Sequence, residues 1–131
     1  MLHDLLAKYL DDTEAAVRQL DRVYVERYEE EVLSATRINM RIRIRFQTGY
    51  LLEVNEAIII EGDKLKHLNY RYHFQDIHNN LVFRYDNTPH FPGLNSFPHH
   101  KHLDNGVVAC EEPTVLSVIE ETKKFTLRAA D

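Results

Sequence analysis

Glycine is scarce, at 4 of 131 residues, and no glycine-rich run exists that would cradle the phosphates of a nucleotide, which argues against a nucleotide-using transferase. A single cysteine, Cys110, excludes an intramolecular disulfide. Two glutamates follow it and raise a thiol pKa, so it makes a poor nucleophile. No run approaches the ~20 apolar residues that cross a bilayer. Residues 1–20 interrupt leucine with Asp, Lys, Glu and Arg where a signal peptide keeps an unbroken apolar centre. A soluble, cytoplasmic chain with no membrane partner is therefore expected. Repeats and low-complexity tracts are also missing. With 44% hydrophobic and 28% charged residues, the composition is that of an ordinary globular chain, and its length predicts one domain over residues 1–131. Positive charge is not in excess: 16 Lys and Arg stand against 21 Asp and Glu, a net charge of −5. That excludes coating of nucleic acid by bulk electrostatics.

Locally the charges are sorted. Acidic residues crowd Asp11–Glu14, Glu26–Glu31 and Glu111–Glu121, which would suit a basic partner or a homodimer contact. Arg37, Arg41, Arg43 and Arg45 lie close together. Leu2, Leu5, Leu6, Tyr9, Leu10, Val17 and Leu20 recur at helical spacing, and Thr13 could cap a second helical start, which leaves one helix with a kink and two short helices both open. From Val23 the pattern turns to β, with Val23–Tyr28 as a strand that the acidic triplet Glu29–Glu31 interrupts. Ile38, Met40, Ile42, Ile44 and Phe46 alternate with Asn39, Arg41, Arg43 and Arg45, so one face enters the core and the other carries guanidiniums. Thr48-Gly49 turns into Tyr50–Val54, and a break is expected near Asn55 before Ala57–Ile60. Gly62-Asp63 turns again, and Leu68–Gln75 and Leu81–Tyr85 follow, with a short edge strand at Val107–Ala109. Pro113 opens a closing helix with the stripe Val115, Leu116, Val118, Ile119 and Thr122. The expected fold is α+β: an antiparallel meander of about five strands on N- and C-terminal helices. Its outward face gathers Arg41, Arg43, Arg45, Arg71, His73 and Arg84, with Glu53 as the clearest carboxylate.

Between Arg84 and His102 the regular periods fail. This stretch holds four of eight histidines and three of four prolines, so it reads as a long loop, kept in order by Phe91, Leu94 and Phe97. Three chemistries are open to it. A metal such as Zn would take His90, His99 and His102 with Asp86 or Asp104, although the spacing matches no closed zinc motif. Acid–base work is the second: a neutral imidazole removes a ribose 2′-hydroxyl proton, a protonated one serves the leaving oxygen, and arginines neutralise the phosphorane. The third is structural, with an Asx-turn at Asp86-Asn87 and histidines bonded to backbone. If residues 99–102 are extended, His100 and His102 share one side and His99 and Lys101 the other; if helical, His99 and His102 pair instead.

The runs Tyr70-Arg-Tyr-His-Phe-Gln-Asp76, Leu81-Val-Phe-Arg-Tyr-Asp-Asn-Thr-Pro-His90 and Phe97-Pro-His-His-Lys-His102 resemble the TumE-like proteins, toxins of two-gene toxin–antitoxin modules. The resemblance implies an adjacent antitoxin with a helix-turn-helix domain. It supplies no catalytic assignment, so Arg84, Asp86, Asn87, His90, His99, His100 and His102 carry over only as motif positions. Relatives often have a second histidine where this chain has Phe91. The combined expectation is metal-independent RNA cleavage without a cofactor. His73, His90, His99, His100 and His102 are candidate catalytic residues with Arg84 and Asp86, and Arg41, Arg43, Arg45, Arg71 and Lys101 would hold substrate. Metal-dependent hydrolysis and non-enzymatic binding of nucleic acid or protein are the alternatives.

Overall fold

A computed structural model describes residues 1–130, with side chains through Thr126. Helix α1 (Asp4–Arg18) is continuous. The Nδ1 of His3 accepts from the Leu5 amide at its start, and the Thr13 hydroxyl donates back to the Tyr9 carbonyl at 2.8 Å. Thr13 thus sits inside the helix with its hydroxyl satisfied, and of the two open alternatives the chain forms a single helix. Leu6, Leu10 and Val17 line the buried stripe.

Seven strands follow in sequence order as one antiparallel meander: β1 (Val23–Ser34), β2 (Arg37–Phe46), β3 (Leu51–Glu61), β4 (Lys64–Gln75), β5 (Leu81–Asp86), β6 (His100–Leu103) and β7 (Gly106–Ala109). Helix α2 (Val115–Ala130) closes the chain. The α+β class, the two terminal helices and the short edge strand at Val107–Ala109 are as expected, and β6 is the strand not anticipated. Glu29–Glu31 does not interrupt β1, because an edge strand leaves these side chains in water, and Glu29 and Glu31 lie opposite Arg41 and Asn39. Asn55 does not break β3, since its backbone pairs with both Arg41 and Arg71. The last residues of the histidine stretch form β6, supported by β5 on one side and β7 on the other.

Both helices cover one face of the sheet. Ile42, Ile44, Leu52, Val54, Tyr72, Phe74 and Phe83 meet Leu6, Leu10, Val115, Val118 and Ile119 in a continuous core. Each such side chain contributes about 1.5–3 kcal/mol on leaving water. Gly49 closes the β2–β3 turn at φ +92°, where a Cβ would meet Ile77 Cγ1 at 2.6 Å. No helix among the described residues is long and apolar enough to cross a membrane.

Candidate functional site

Residues directly opposite in antiparallel strands point to the same side of a sheet. The register therefore lays two rows across the face that the helices leave open. One runs Arg43, Glu53, His73, Arg84, His102, and its neighbour runs Arg41, Asn55, Arg71, Asp86, His100. Guanidiniums and imidazoles share this outward face.

Asp86 is the hub of these rows. Only 7% exposed, it lies at the end of β5, where its Oδ1 accepts from the Thr88 amide at 3.1 Å in an Asx-turn. The same oxygen lies 2.8 Å from His100 Nε2, and Oδ2 is 3.5 Å from His102 Nε2 and 3.7 Å from Arg84 Nε. His100 is buried, and its Nδ1 donates to the Pro98 carbonyl at 3.0 Å, so both its ring nitrogens are engaged. His102 remains part-exposed. Phe91 stands edge-on to both rings, with centroids 4.9 and 6.0 Å away. The loop is thereby anchored over the pair, while its own turns, from Phe91 through His99, bond carbonyl to amide.

Electrostatics separate the histidines' roles. Burial, reinforced by the Arg84 charge, lowers the pKa of His102 against the pull of Asp86. Burial also lowers that of His73, whose Nε2 donates to Gln75 Oε1 at 3.0 Å, leaving Nδ1 buried and unpartnered. Both rings are held neutral near pH 7, which suits a base better than an acid.

The arginine row is less free than its sequence suggested. Arg43 bonds Glu26 at 2.7 Å and Glu53 at 2.8 Å, and Arg45 bonds Glu26 at 3.2 Å. The hydrogen bonds from Arg43 and Arg45 hold the Glu26 carboxyl below its ordinary pKa. Glu26 reaches them because a bulge between Val25 and Arg27 adds a residue to β1 and turns it outward. Arg41 and Arg71 have no carboxylate partner among the described residues, and Arg84 has only the long contact to Asp86.

Other candidates lie elsewhere. Because residues 99–102 are extended, His99 faces the helices, bonding the Tyr70 hydroxyl at 2.8 Å. Lys101 does likewise, bonding Glu121 at 2.9 Å and lying 4.8 Å over the Tyr85 ring. His90 is exposed in the loop beside Phe91. His90, His99 and His102 do not converge. The set with metal-ligand proximity is Asp86, His100 and His102, whose ligand atoms lie within 4.8 Å of one another. The arrangement can accept a proton at His102, orient that ring through Asp86, and hold an anion on Arg41, Arg71 and Arg84.

A second polar cluster escaped sequence reasoning. Glu56, 4% exposed, accepts at Oε2 from the Tyr9 and Tyr72 hydroxyls at 2.6 Å and faces His67 Nε2 at 2.8 Å. His67 Nδ1 in turn meets Glu112 at 2.9 Å. The signal was present: Glu56 shares parity with Leu52, Val54 and Ile58, which is a carboxylate at a core position.

Against known families, a model described as Toxin TumE matches residues 13–126. No curated protein and no solved structure matches the chain. The match covers the whole sheet and both rows described above, and family membership implies an antitoxin partner.

Proposed function

We propose that this chain, which belongs to the Toxin TumE family, is a toxin that cleaves RNA on the outward face of its sheet without a metal ion. The observation that carries the reading is the Asp86 carboxylate set between two imidazoles, among guanidiniums that have no other strong partner. His102 is the general base. Its Nε2 faces Asp86, which leaves Nδ1 to accept a proton, and the neutral ring is the form required at pH 7.

His102 takes the proton of a ribose 2′-hydroxyl, and the 2′-oxygen bonds to phosphorus as the bond from phosphorus to the 5′-oxygen breaks. The departing 5′-oxygen is protonated by water on this open surface, and the other product is a 2′,3′-cyclic phosphate. Arg71 and Arg84 hold the phosphate and offset the charge that builds on its oxygens. His100 keeps Asp86 in place and is a positioning residue, because neither of its ring nitrogens is free. His99 and Lys101 take no part in this scheme. The target places the toxin's action in the cytoplasm, and the antitoxin is read as carrying a helix-turn-helix domain.

One observation favours a second reading. Asp86, His100 and His102 form a carboxylate and two-imidazole set within 4.8 Å, and the His100 Nδ1 bond to a carbonyl is how an outer partner aims a metal-binding imidazole. Arg84 at 3.7 Å from Asp86 opposes it, since a cation there would face another cation. Incubating the protein with RNA in chelator separates the cases. Persistent cleavage, lost in His102→Ala with binding retained, supports the base mechanism. Loss of cleavage in chelator transfers the chemistry to a metal, and binding without turnover makes the surface a binding module.

A further inference from the structure

We infer that the groove beside Asp86 is a subsite for a single unstacked nucleobase, read by the side-chain amides of Asn55 and Asn69 against the apolar wall of Leu68. This deepens the RNA reading above and rests on it. The groove has a volume of about 640 Å³, and Arg41, Asn55, Leu68, Asn69, Arg71 and Pro89 are among its lining residues. It adjoins the proposed chemistry directly, because Arg71 pairs across the strands with Asp86.

Three features of this groove have no evident use within the fold. Asn55 occupies the middle of β3, a position where asparagine is disfavoured, between Arg41 and Arg71. Among the described residues, the side-chain amides of Asn55 and Asn69 bond to no protein group. Leu68 is the extra residue of a bulge in β4, where Asn69 pairs with Ala57 and His67 with Ile58. It keeps 41% of its surface in water.

The bulge is also pinned. Asn87, beside Asp86, accepts from the Tyr70 amide at 3.1 Å and donates to the Leu68 carbonyl at 3.4 Å. Bulges beside functional sites re-aim side chains, and here the fold fixes an apolar side chain at the rim of a polar groove. An amide presents a donor and an acceptor side by side, which matches the edge of a base, and unpaired guanidiniums on both sides match the flanking phosphates. The ligand class that needs all three together is one nucleotide within a single strand of RNA.

The test uses His102→Ala protein in chelator, so that the probe stays intact, and follows binding of short labelled oligoribonucleotides of A, C, G or U, plus one with an abasic position, by fluorescence anisotropy. The best base is expected to bind about tenfold more tightly than the worst, the scale of one good amide–base pair. Asn55→Ala and Asn69→Ala should compress that spread to about twofold and leave the abasic affinity unchanged, with Asn55→Ser as a milder second variant. A spread that survives the asparagine substitutions overturns the subsite and leaves the RNA reading standing. Failure of every oligonucleotide to bind overturns the RNA reading together with the subsite.

Discussion

The hydroxyl of Tyr72 lies 2.6 Å from the Glu56 carboxylate in an interior that exposes none of Tyr72 and 4% of Glu56. Burying a carboxylate is costly unless donors surround it, and here Tyr9, Tyr72 and His67 converge on one oxygen. Removing the Tyr72 hydroxyl leaves that oxygen short of a donor. Tyr72→Phe is expected to lower stability by about 1.5–3 kcal/mol, the range for a hydrogen bond to a charged group. Urea unfolding should show a lower midpoint with an unchanged slope.

His67 should make stability depend on pH. Burial opposes its charged form, but Glu56 and Glu112 outweigh burial and raise its pKa above 6.5. Its folded value exceeds its unfolded one, so the stabilisation is fully present below about 6.5 and disappears as pH rises through the raised value. The stability difference between wild type and His67→Gln should shrink as pH climbs past neutrality. A difference independent of pH would contradict this.

Cleavage should also respond to Arg84. With burial, its charge lowers the His102 pKa, so the acidic limb of the rate profile is expected below the ordinary histidine value of 6.5. Arg84→Met removes the cation and should move that limb to higher pH, besides weakening phosphate binding. An unmoved limb would show that another group sets it.

Glu26 ties up Arg43 and Arg45. Exposed pairs of this kind add little to stability because water screens them, so Glu26→Ala should barely change stability. It should instead remove a negative charge from the outward face and free Arg45 of its carboxylate, while Glu53 still holds Arg43, and so tighten RNA binding several-fold at low salt, with a steeper salt dependence. Anisotropy across a salt series reads both effects.

The alternation in β2 and the helical stripes of α1 and α2 were legible because one side of each element enters the core. The shared parity of Arg41, Arg71 and Arg84 followed from the same rule. The reach of β1 through Glu29–Glu31 was not, since an edge strand is held by pairing with β2 and asks little of its side chains. Strand β6 was hidden because prolines and histidines mask the local pattern, and only pairing with β5 and β7 makes residues 100–103 extended. Neither the Glu26 clamp nor the exposed Leu68 could be placed without the bulges that aim them, because a bulge changes parity without an unambiguous local sequence mark.

The most direct test of the proposed chemistry is the identity of the RNA ends made by the purified protein in chelator, read by mass spectrometry. A 2′-hydroxyl attack driven by His102 predicts 2′,3′-cyclic phosphate and 5′-hydroxyl ends from wild type and none from His102→Ala. Ends bearing 5′-phosphate and 3′-hydroxyl, formed only when a divalent ion is restored, would contradict the account.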